Sequence, residues 1–150
     1  MSDFISAIKR FIEDYVFTGQ ARFEFRMLPI SQQSGFVFSL VECVAEVEDN
    51  PNAFWAGHDA MFRLTSTSGA NFEGSDFASA VGVSYGDLLD CADEATQYQT
   101  DQALAGQYND QITGTPAVAW RLNNGPIRLD VINRQPSYED LAALVEVFGQ

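Results

Sequence analysis

The chain has 150 residues, 46% of them hydrophobic and 19% charged, and its 21 acidic side chains outnumber 8 basic ones to leave a net charge of −13. One domain of this length buries about 68–70% of the surface of its unfolded chain, enough for a full core, and the apolar content excludes a disordered or fibrous polymer. The negative charge argues against nucleic acid and anionic membrane surfaces as partners, because both require a positive face.

The predicted elements run as follows. Residues 2–17 carry Phe4, Ile8, Phe11, Ile12 and Tyr15 at helical spacing, and Gly19 supplies a stop, so a helix is expected. "ARFEFRM" alternates strictly, Phe23, Phe25 and Met27 against Arg22, Glu24 and Arg26, which predicts a strand over 21–27 closed by Pro29. From 33 to 112 the pattern is helical. Gly35 to Glu48 carries Phe36, Leu40, Val44 and Val47, and Pro51 opens the next helix, "PNAFWAGHDAMFRL". A Ser, Thr and Gly-rich loop at 65–75 leads to a short helix over 75–81 capped by Ser75, then to helical pieces near 85–95 and 98–110.

"TPAVAWRLNNGPIRLDVI" follows, two extended runs around Asn123-Asn124-Gly125, and Asn-Gly in that position predicts an antiparallel hairpin. Pro116 stands at the threshold of the first run, where a residue without an N–H is tolerated. The chain closes with a helix in which Ser137 and Asp140 form a capping box and Leu141, Leu144, Val145 and Phe148 face the core. No run approaches the roughly 18 apolar residues of a membrane span, and "MSDFISAIKRF" lacks the layout of a signal peptide.

Few residues suggest chemistry. Cys43 and Cys91 are too far apart for a CxxC or a zinc clip. His58 is the only histidine, so no metal site is expected, and although Asp59 follows it, neighbours i and i+1 on a helix point in different directions and are not expected to pair. His58 is instead read as a structural side chain beneath Phe54, Trp55 and Phe62.

Helix, strand, helical block, Thr-Pro, hairpin, helix: this order, with "YVFTGQARFEFRMLPI", "ECVAEVEDNPNAFWAGHDAMF", "GTPAVAWRLNNG" and "QPSYEDLAALV", resembles the DsbA-like thiol–disulfide oxidoreductases. The resemblance covers nearly all 150 residues. It implies an α/β thioredoxin-like fold, with core parts 1–30 and 113–150 and a helical insertion over 31–112. It also implies a cis peptide bond between Thr115 and Pro116, which would keep the adjacent backbone open to an extended peptide or protein thiol/disulfide substrate. Cys43 and Cys91 would come near each other, either as a structural disulfide, which some members of the family carry, or as two buried free thiols. No cofactor is implied.

The chain departs from the family where its chemistry resides. No cysteine precedes residue 43, and the first residues already belong to the first core helix, so neither the CxxC nor the central strand ahead of it is present. Either strand 21–27 moves across to pair with 117–122, or a strand comes from a partner or a second copy of the chain, or the sequence is part of a longer one. Two further expectations stay open beside an oxidoreductase-like domain inactive as it stands. One is a non-catalytic peptide-binding or assembly module; the other is a glutathione-binding relative of the kappa-class transferases, for which Ser2 and Ser6 lie near the working position. Members of the DsbA-like family mostly work outside the cytoplasm.

Overall fold

A computed structural model describes residues 2–29, 31–69, 72–129 and 135–149. Seven α-helices account for the regular structure: α1 Ser2–Phe11, α2 Gln32–Val47, α3 Ala53–Ser68, α4 Gly74–Val81, α5 Tyr85–Ala92, α6 Gln97–Gly106 and α7 Tyr138–Phe148. They divide between two compact units, one of residues 1–25 with 105–150, the other of residues 26–104.

In the first unit the apolar stripe of α1 meets that of α7. Phe11 and Leu141 are buried against each other, with Ile8, Tyr15, Val16, Val118, Leu144 and Val145 packed around them. The axial pattern of α1 continues through a π-helical turn, Ile12–Val16, in which the Phe17 N–H reaches back to the Ile12 carbonyl. Gly19 then adopts φ +77°, a left-handed conformation that glycine takes without steric cost, and the helix ends. At the start of α7 the expected capping box is present: Ser137 Oγ accepts from the Asp140 N–H, and the Asp140 carboxylate accepts from the Ser137 N–H.

The second unit is built on α2, which packs against α3, α4 and α5. Leu40, Val41, Cys43 and Val44 form its inner face, and Phe77 of α4 and Leu88 of α5 are fully buried with them. Gly57 lets α3 approach α2 closely: a methyl group there would sit 3.1 Å from Val44 Cγ2. Asp101 of α6 is 4% exposed and holds three donors, Arg26 Nη1 at 3.0 Å, the Met27 N–H at 2.9 Å and Gln97 Nε2 at 2.9 Å. Residues 26–104 carry 12 of the 21 acidic side chains and two of the 8 basic ones.

The expected α/β thioredoxin-like fold is not found. The described residues contain no strand, and the only β-pairing among them is the isolated antiparallel bridge between Trp120 and Arg128. Residues 21–29 are non-helical but form no ladder, and the hairpin is reduced to its turn, where Asn123 takes φ 52° and the Gly125 N–H bonds the Leu122 carbonyl at 2.9 Å. The physical reason lies in what the thioredoxin sheet requires. Its flanking strands pair with a central strand, the described residues hold none, and an isolated pair of strands is at best marginal in water. The later part of the second hairpin run, 130–132, lies outside the described residues.

Two smaller expectations also change. Ser75 is not the cap of α4; the helix begins one residue earlier with Glu73 as N-cap, its side chain and that of Asp76 forming a reciprocal box. Phe36, expected on the inner stripe of α2, is 41% exposed.

Candidate functional site

The segment 113–122 gathers the features that bear on binding. Thr115 and Pro116 are exposed, and the bond between them is cis. Beyond them Ala117–Ala119 run straight and non-helical to Trp120. The Trp120 N–H bonds the Arg128 carbonyl at 2.9 Å, and the Arg128 N–H bonds the Trp120 carbonyl at 2.8 Å. In a strand the polar groups of successive residues face opposite edges, so an extended run here would turn those of Ala119 and Ala117 away from Arg128. Among the described residues the backbone groups of Ala117, Val118 and Ala119 take no hydrogen bond.

Trp120 fixes the end of this segment. Its indole stacks on Phe148 with centroids 4.6 Å apart, and the Arg128 guanidinium lies 5.4 Å from the ring centroid. Its Nε1 is buried without an acceptor among the described residues. Next to it, Arg121 pairs with Glu24 at 2.9 Å, and Glu24 also meets Arg22 at 3.2 Å. Sequence reasoning singled out Thr115 and Pro116 but not Trp120; an aromatic residue closing a small-residue run was the available signal.

Cys43 and Cys91 are bonded to each other, joining α2 to α5, with Sγ atoms 2.01 Å and Cα atoms 5.9 Å apart. Neither is a free thiol. They are in the second unit and do not belong to the segment around Pro116.

His58 sits on α3 among aromatic rings, with Trp55 at 5.4 Å, Phe62 at 4.8 Å and Phe54 at 6.5 Å between centroids. The expectation that His58 and Asp59 do not meet is corrected: Nδ1 lies 3.1 Å from Asp59 Oδ1. The helix sends the two Cα–Cβ bonds apart, but a short carboxylate can fold back to its neighbour's ring. Asp59 is 80% exposed, which makes this a surface contact and not a buried catalytic pair.

Ser6, considered for the glutathione-binding alternative, lines an open depression of about 510 Å³ together with Phe4, Arg10, Pro136 and Ser137. Arg10 is already engaged there, its guanidinium 3.7 Å from the Tyr138 ring centroid and its Nε 3.6 Å from Asp14. Among the described residues no cluster of His, Cys, Asp and Glu could hold a metal ion, and no helix is long and apolar enough to cross a membrane.

No family model, no curated protein and no solved structure matches the chain. The backbone around Pro116 and its side chains therefore carry the functional argument without support from a relative.

Proposed function

We propose that the chain is a non-catalytic, peptide-holding domain related in function to the DsbA-like thiol–disulfide oxidoreductases, and that an extended peptide adds to the open edge of Ala117–Ala119. The observation that carries this is the backbone of Ala117 and Ala119 beside Trp120, which takes no hydrogen bond among the described residues. A row of free N–H and C=O groups is a template for strand addition, in which main-chain bonds supply affinity and side-chain pockets supply selectivity. The small side chains of Ala117 and Ala119 leave the edge accessible, and Val118, packed into the core around Phe11 and Leu141, anchors it.

The cysteines argue against redox catalysis by the chain alone. Both cysteines are consumed in one disulfide between two helices, and no CxxC occurs in the sequence. The chain is expected to catalyse neither the reduction of insulin nor the oxidation of a dithiol peptide. The gene ahead of Met1 separates two forms of the proposal: an in-frame CxxC makes this the substrate-holding portion of an oxidoreductase, and a closed frame makes it a binding module in its own right.

The direct test is NMR titration with unstructured, cysteine-free extended peptides. Shifts centred on the amides of Ala117, Ala119 and Arg121 are expected, and Ala119→Pro, which deletes one edge N–H, abolishes them while the rest of the spectrum persists. Shifts elsewhere only, or unchanged binding in the proline variant, refute strand addition at this edge. Concentration-dependent shifts without peptide, with a dimer by light scattering, would assign the edge to a second copy instead.

A further inference from the structure

The two sulfurs of the disulfide are not equivalent. Cys43 is wholly buried on the inner face of α2, whereas Cys91 on α5 is partly exposed. Opening a disulfide by exchange requires a thiolate to approach one sulfur in line with the bond, on the side away from the other. An attack on Cys43 Sγ would come through the packed interior, whereas Cys91 is the partner that solvent reaches.

The residues about Cys91 are acidic. Glu46 Oε2 lies 3.6 Å from Cys91 Sγ, and because a disulfide sulfur has no hydrogen to donate, this is a close approach of negative charge and not a hydrogen bond. Glu42 stands one turn back on α2, with Glu46 and Asp101 acting electrostatically on it. Asp90, Asp93 and Glu94, flanking Cys91 in sequence, are exposed. The only basic side chains in residues 26–104 are Arg26 and Arg63, and Arg26 is paired with Asp101.

We propose that Cys91 is the thiolation site of this protein, and that its exchange selects thiols by charge, admitting cationic aminothiols and turning away thiols that carry a carboxylate. The thiolate of an aminothiol attacks Cys91 Sγ; the Cys43–Cys91 bond breaks, and its electron pair leaves on Cys43, which takes a proton from water. A second aminothiolate displaces Cys91 from the mixed disulfide, giving the small-molecule disulfide and a second protein thiol. Two aminothiols are oxidised and one protein disulfide is reduced. An ammonium group on the incoming molecule offsets the repulsion between its thiolate and Glu46, and a carboxylate adds to it.

The experiment compares the native protein's exchange with cysteamine and with 3-mercaptopropionate at one pH, each rate divided by the same thiol's rate on 2-hydroxyethyl disulfide to remove intrinsic nucleophilicity. At low ionic strength cysteamine should be favoured by at least about tenfold, and the preference should collapse toward unity in about 1 M salt, where screening acts over about 3 Å. Peptide mapping of the acid-quenched intermediate should place the adduct on Cys91. Glu46→Gln, nearly isosteric, should reduce the preference severalfold. Equal normalised rates at low salt, a preference indifferent to salt, or an adduct on Cys43 would each overturn the proposal, and an unchanged preference in a folded Glu46→Gln protein removes Glu46 from it. Should that variant not fold, the salt dependence and the adduct position of the native protein decide.

Discussion

The Asp101 carboxylate accepts the Met27 backbone N–H at 2.9 Å and so ties α6 to the chain that enters α2. The carboxylate is 3% exposed at its side chain, while its ionic partner Arg26 is 47% exposed, so the interaction is buried at the acid and open at the base. Removing the acid strands the buried Met27 N–H without an acceptor. Asp101→Ala should therefore destabilise the protein by about 2–4 kcal/mol, measured by chemical denaturation. Arg26→Ala should cost less than about 1 kcal/mol, because the exposed guanidinium is replaced by water. Equal costs for the two would contradict this division.

Glu42 accepts the Gln97 N–H at 3.0 Å, closing the first turn of α6 from a distant helix. Its carboxyl is held above the ordinary carboxylate range, first by desolvation, with Asp101 and Glu46 adding repulsion against two backbone bonds that act the other way. The folded state thus binds this proton more tightly than the unfolded chain, and the Glu42 contribution to stability falls as pH rises from the unfolded pKa through the folded one. Glu42→Gln keeps an acceptor for Gln97 and removes the charge, so its stability relative to the native protein should improve between mildly acidic and neutral pH. Glu42→Ala loses the cap and should cost about 1 kcal/mol. A Gln variant that loses ground as pH rises would reverse the assigned sign.

Tyr138 donates its hydroxyl to Asp14 at 2.7 Å, and that bond pushes its pKa up to about 12. A raised folded pKa means that the contribution of the neutral phenol is present below the unfolded value and is lost as pH climbs through the folded one. Ultraviolet titration of the native protein should show one phenol ionising near the upper end of the range, and Asp14→Asn should move it down toward the ordinary tyrosine value. Titration curves that superimpose for the two proteins would refute the assignment.

Gly57 marks a close approach of α3 to α2, with a hypothetical Cβ 3.1 Å from Val44 Cγ2 and 3.4 Å from the Val41 carbonyl. Gly57→Val should cost about 1–3 kcal/mol by overpacking. In a Val44→Ala background, where the contacted methyl is gone, part of that cost should disappear. A double-mutant cycle that finds no coupling would show the clash to be elsewhere.

The helices were legible because each is written in consecutive residues. The stripes that bury Phe11 on α1 and Leu141 on α7, and the box of Ser137 with Asp140, involve spacings that the helical period itself sets. The strands were misread for the opposite reason: alternation in 21–27 describes a segment suited to pairing, but a sheet exists only when a neighbour is present, and that information is not local. Trp120 was overlooked because an orphaned indole N–H is a property of its surroundings, which the one-dimensional pattern does not contain. The likeness to a known family suggested the proximity of Cys43 and Cys91, whose spacing alone left their state open, and the same likeness led to a sheet that the described residues lack. The short His58 to Asp59 contact shows how a rule about backbone direction can miss what a side chain does at its tip.

The bond between Cys43 and Cys91 turns the stretch containing α3, α4 and most of α5 into a covalent ring. A protease that severs one peptide link inside that ring adds a molecule of water and liberates nothing. The nicked polypeptide runs as a single species under denaturing electrophoresis, and its pieces part company only after a reductant has been added.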